Sequence, residues 1–169
     1  TSVITSFVIH VGSYGANQLK NQITNSKPVN VQGTSAYTLL KFLITTVVPD
    51  AEFRYYILNT MVNQLRYPNI HTYFFSNVFL QLFLDLNGEI SAVNPSTEEG
   101  AAAANDVLLI QEQVTRVFLE RLIVHRPHPW GLLITFIEFL KNPKYEFWKK
   151  NFTHCAVEIE KVLESVAKS

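Results

Sequence analysis

Cysteine is almost missing from this chain of 169 residues: Cys155 is the only one. An intrachain disulfide and a cysteine-rich zinc site are therefore excluded, and a reducing compartment, cytosolic and nuclear, is the expected setting. Charge is scarce too, at 17% of residues against about 25% in ordinary globular chains. Lysine plus arginine equals aspartate plus glutamate at 14 each, so no net field draws the chain to nucleic acid or an anionic membrane. The most apolar stretch, Trp130 to Leu140, falls far short of the ~18 residues that span a bilayer. No Gly-rich phosphate loop, nucleophile elbow or zinc-protease signature occurs, and nothing at the start reads as a signal peptide. No enzyme, cofactor or metal site is expected. With 47% apolar residues and little charge, more of the surface than usual is expected to be apolar or merely polar, as in a fragment cut from neighbouring helices or a protein that buries surface against partners.

What remains is helical periodicity. Val3, Ile4, Phe7, Val8 and Val11 mark one helix face, interrupted by Gly12 and Gly15, which let a neighbour approach closely. Ile23 to Gly33, with Pro28, reads as a loop. Ser35 is a candidate cap for a helix carrying Leu39, Leu40, Leu43 and Val47, and Asp50 for one carrying Ile57, Leu58, Met61, Val62 and Leu65. From Thr72 to Leu86 a single thin polar line, Asn77, Gln81 and Asp85, runs along a helix whose remaining girth is apolar. Such a helix needs neighbours on more than one side. Gly88, Pro95, Gly100 and the run Ala101 to Ala104 mark 87–105 as a mobile surface insertion. Helix resumes at Asp106, with Glu112, Arg116 and Glu120 as its exposed line, and stops at Arg126-Pro127-His128-Pro129. Trp130 to Leu140, a short aromatic segment (Tyr145, Phe147, Trp148) and a last amphipathic helix complete the chain. The expected fold is all-α: one domain over 1–169 of about seven helices in HEAT-like stacked antiparallel hairpins, with a compact bundle as the alternative.

Chemistry-bearing residues weigh little against this frame. His125 and His128 flank a double-proline turn without further ligands, so metal binding is disfavoured. His154-Cys155 lacks an orienting acid or oxyanion hole. Arg116, Arg121 and Arg126 make the best candidate for a single-stranded RNA patch, but Glu112 and Glu120 interleave with them, and Arg121 points to the apolar side, where a carboxylate partner is expected.

One segment is distinctive in residue order: IQEQVTRVFLERLIVHRPHPWGLLITFIEFLKNPKYEFWKKNF, from Ile110 to Phe152. It closely resembles the C-terminal domain of the Not-one scaffold, the largest subunit of the CCR–NOT messenger-RNA deadenylase complex. Asn63 to Asn69, His71-Thr72, Phe75-Ser76 and Cys155-Ala156 through Lys161 are similar to the same family. The chain departs from the family pattern at His125, where Asn is usual, at Val157, where Pro is usual, and in a longer 87–105 insertion. The resemblance implies the C-terminal part of a larger HEAT-like, non-catalytic domain that docks the Not-two and Not-three/Not-five subunits and short peptide motifs of RNA-binding repressors, and that supports deadenylation, decay and translational repression. On position beside interhelix turns, Tyr67, Asn69, His71, Arg126, His128 and Trp130 are the candidate contact residues.

Overall fold

The computed structural model describes residues 2–47, 50–124, 129–154 and 157–168. Seven α-helices occur among them: α1 (Ser2–Thr24), α2 (Ser35–Phe42), α3 (Ala51–Asn63), α4 (Ile70–Ala92), α5 (Glu98–Val124), α6 (Trp130–Lys141) and α7 (Val157–Lys168). No strand appears among the described residues. Helix α4 is the axis of the stack, with α1 against one side, α5 against another and α6 against a third. The all-α expectation holds, and so does its reason. Phe74, Phe75, Val78, Phe79, Leu82, Phe83 and Leu86 are all buried, which only neighbours on several sides can achieve.

Two glycines fix how close α1 comes to α4. A Cβ on Gly12 would fall 2.3 Å from Phe75 Cζ, and one on Gly15 would fall 2.2 Å from Phe74 Cζ. What approaches is a pair of phenyl rings rather than a backbone. Each ring fills the notch that a missing side chain leaves, and both rings are buried.

On the other side of α4 the core is aromatic. Phe79 meets Phe118 of α5 with ring centroids 4.9 Å apart at 78°. Phe83 meets Phe139 of α6 at 4.8 Å. Phe139 meets Tyr145 at 5.4 Å, which ties the aromatic segment to the same cluster. That segment forms three short 3-10 turns (Pro143–Tyr145, Phe147–Lys149, Asn151–His154), with Tyr145 and Phe147 buried as core.

The expected insertion at 87–105 is mostly helix. Helix α4 runs on through Gly88 to Ala92, and α5 starts at Glu98, so the break shrinks to 93–97. Pro95 prevents a single continuous helix, while the alanine run supplies the strongest helix propensity available. Asp106 consequently lies inside α5 and caps nothing. The added turn Glu98 to Ala103 stays largely exposed, without a core of its own. Capping elsewhere follows side-chain geometry. Asp50 accepts from the Glu52 amide at 2.9 Å as expected, but Thr34, not Ser35, caps α2, accepting from the Tyr37 amide at 3.2 Å.

The thin polar line of α4 is not a wet stripe. Asp85 accepts from Tyr37 Oη, from Gln32 Nε2 at 3.1 Å and from Gln81 Nε2 at 2.9 Å, with Lys41 Nζ 3.7 Å away. Burial and the Asp85 carboxylate push the Tyr37 hydroxyl pKa far up, so it stays a donor. Asn87 plays the matching role at the far end. Its carbonyl accepts from Lys150 Nζ at 2.6 Å and Gln111 Nε2 at 2.8 Å, and its amide donates to the Tyr145 carbonyl at 2.8 Å. One side chain thus ties α4, α5 and the aromatic segment together. Lys150 is buried, which pushes its pKa down, and its ammonium stands 5.9 Å from the Phe83 ring centre.

Two outcomes are expected in thermal melts. Gly15→Ala lowers Tm, because overpacking of about 1–3 kcal/mol exceeds the ~1 kcal/mol gain in helix propensity, whereas Gly88→Ala, in open space, raises it. Asn87→Ala destabilises by roughly 2–4 kcal/mol by stranding Lys150 and Gln111, while Lys150→Met changes stability by less than about 1 kcal/mol, because Asn87 keeps Gln111 as its donor.

Candidate docking groove

The turn between α3 and α4 and the start of α6 are stitched backbone to backbone. Trp130 N–H donates to the Arg66 carbonyl at 3.3 Å and Leu132 N–H to the Leu65 carbonyl at 3.0 Å. Gly131 permits this approach: a Cβ there would meet Thr72 Cγ2 at 2.4 Å and the Leu65 carbonyl oxygen at 3.2 Å. Thr72 closes the turn from its own side, donating to the Gln64 carbonyl at 2.9 Å. One turn further on, the hydroxyls of Ser76 and Thr135 are 2.6 Å apart. Thr72 beside Gly131 and Ser76 beside Thr135 advance together, so α4 and α6 run parallel.

Between them lies an apolar groove of about 280 Å³. Its walls are Tyr73 and Leu80 from α4 and Trp130 and Ile134 from α6, with Glu138 at the end away from the turn. Trp130 is 50% exposed, Ile134 46% and Tyr73 42%, a concentration of wet apolar surface on one face. Past Asn77, Leu80 and Glu138 the groove continues into a polar recess of about 300 Å³ bordered by Asn30, Gln81 and Lys144. Tyr145, at the floor of that recess, has its pKa pushed up to about 12 by burial and by the Glu138 carboxylate.

The residues singled out from the sequence fall into separate roles. Trp130 lines the groove. Tyr67, 70% exposed, belongs to the turn whose Arg66 carbonyl receives the Trp130 amide, and His71 is exposed in the first turn of α4. Asn69 is a cap: its carbonyl oxygen accepts from the Thr72 amide at 2.9 Å. Arg126 and His128 lie outside the described residues, as do His125 and Cys155. Arg116 and Arg121, the two arginines of the candidate RNA patch within the described residues, engage different neighbours. Arg116 pairs with Glu112 at 3.5 Å, and Arg121, half-buried, donates to the Asn59 side-chain carbonyl oxygen at 3.0 and 2.7 Å. Sequence reasoning missed Tyr73, Ile134 and Glu138 as groove residues. The signal was present: Trp130, Ile134 and Glu138 recur every fourth residue on one face of α6.

Among the described residues no cluster of His, Cys, Asp and Glu suits a metal ion, and no helix is long and apolar enough to cross a membrane. The family model for the CCR4-Not complex component Not1 matches residues 1–167. The chain belongs to the Not1 family. This Not1-family chain is 41% identical over 167 residues to the Caenorhabditis elegans CCR4-NOT transcription complex subunit let-711, covering 99% of the chain and 6% of that relative. It is 46% identical over 117 residues to the Schizosaccharomyces pombe general negative regulator of transcription subunit 1, covering 69% of the chain and 5% of the relative. Among solved structures it is similar to the NOT1 superfamily homology domain from Chaetomium thermophilum, with 32% identity and a TM-score of 0.75 over 97% of this chain and 28% of that one. A Not1 C-terminal domain in complex with Not4 is similar over 96% of this chain and 28% of that one, with 33% identity and a TM-score of 0.70. The chain therefore spans a small part of its relatives' length.

Cap and rim residues are separable in a denaturation series. Asn69→Ala costs about 1 kcal/mol through the lost cap, while Tyr67→Ala and His71→Ala stay within about 0.5 kcal/mol of the parent.

Proposed function

We propose that this domain is a non-catalytic docking platform of the CCR4-Not scaffold, at work in nucleus and cytoplasm on messenger-RNA deadenylation, decay and translational repression. Its partners are the Not-two and Not-three/Not-five subunits and short peptide motifs of RNA-binding repressors. They dock as extended segments in grooves between helices, burying apolar anchors. The observation that carries this reading is the α4–α6 groove, where Tyr73, Trp130 and Ile134 stand half-exposed along one continuous apolar wall between two parallel helices. Membership of the Not1 family supports it, as does the solved relative whose Not1 domain is in complex with Not4. Tyr67 and His71 stand beside the Trp130 end as rim contacts, and Arg126 and His128 precede Trp130 in the chain as further candidates. A bound segment gains affinity from the fully covered aromatic anchor more than from such rim polar groups.

The test is co-purification of the domain with the Not-two and Not-three/Not-five segments. Trp130→Ala combined with Ile134→Asp is expected to release at least one of them while helical circular dichroism is retained. Unchanged retention of all of them rejects the groove as the docking site. Tight, steeply salt-dependent binding of single-stranded RNA would replace the docking reading altogether.

A further inference from the structure

We propose that the α4–α6 groove selects extended segments in which two alternating apolar side chains are followed, two residues on, by a lysine or arginine that pairs with Glu138. The inference rests on the docking reading and adds the chemistry by which the groove chooses its occupant.

Spacing is the first argument. Trp130, Ile134 and Glu138 mark successive turns of α6, each about 6 Å along its axis. An extended chain advances about 6.6 Å for every two residues, and alternate side chains point the same way. Every second side chain of a bound segment therefore meets one turn of α6: first Trp130, then Ile134, then Glu138. Across the groove α4 runs parallel and presents Tyr73 and Leu80 beside the two apolar turns and Glu138.

Charge is the second argument. Glu138 is half-buried and marks the boundary between the apolar groove and the polar recess. Its carboxylate accepts from Asn142 Nδ2 at 2.9 Å, and no cation among the described residues lies within ion-pair distance. Lys144, on the recess, holds its ammonium 5.1 Å from the Tyr145 ring centre instead. A segment laid across the groove takes water from this carboxylate. A neutral segment leaves the charge desolvated and unpaired, an acidic one repels it, and a basic side chain restores what the water supplied. The apolar turns hold the segment, and Glu138 decides which segment is held.

The test is selection from a random-sequence peptide display library on the intact domain, run in parallel on Glu138→Gln, Glu138→Lys and Ile134→Glu. Circular dichroism and Tm confirm that each variant is folded. The parent is expected to enrich alternating apolar residues with Lys or Arg at the next alternate position. Glu138→Gln, which keeps the Asn142 contact, should weaken the selected peptides about three- to fivefold, and Glu138→Lys should enrich Asp or Glu at that position. Apolar enrichment without a charge preference, an unchanged preference in Glu138→Lys, or spacing at every third and fourth residue overturns the proposal while leaving the groove as a docking site. Peptides that bind Ile134→Glu as well as the parent overturn the docking reading itself.

Discussion

Packing around α4 is the constraint on which the rest of the molecule depends. The helix is apolar around most of its girth, and α1, α5 and α6 cover it on three sides. Each cover is built differently. Against α1, the rings of Phe74 and Phe75 enter notches at Gly15 and Gly12. Against α5 and α6, rings of Phe79 and Phe83 meet rings of Phe118 and Phe139 edge-on or tilted, arrangements that satisfy the quadrupoles of aromatic faces.

Two polar nodes on α4 stand at places where helices must be held in register. Asp85 gathers donors from α2, from the turn before it and from α4. Asn87 gathers donors from α5 and from the aromatic segment, including the ammonium of a buried lysine. Both nodes are directional where the surrounding packing is not, so they specify which turn faces which. Glu138 departs from this habit. Its half-buried carboxylate has an amide for a partner and no cation within reach among the described residues, and it lies where apolar surface is open to a ligand.

Helix α6 reaches that position through backbone contacts. Two amides at its start donate to carbonyls of the α3–α4 turn, and Gly131 removes the side chain that would hold the two apart. The consequence is a parallel pair, α4 and α6, splayed enough to leave a groove.

Periodicity and composition alone determined the all-α class, the approximate helix boundaries, and the many-sided burial of α4, because these depend on spacing of apolar residues along one chain. The residue order from Ile110 to Phe152 by itself pointed to the family. Where 87–105 was concerned, Gly and Pro signals outweighed an alanine run whose propensity in fact extends both flanking helices. Asn69 looked like a contact residue and is a cap, and Ser35 looked like a cap beside the Thr34 that caps, because both distinctions turn on side-chain direction rather than identity. The groove itself was decided only by tertiary structure. Tyr73 and Ile134 are ordinary apolar residues at core-like spacing, and only the separation of two parallel helices leaves them uncovered.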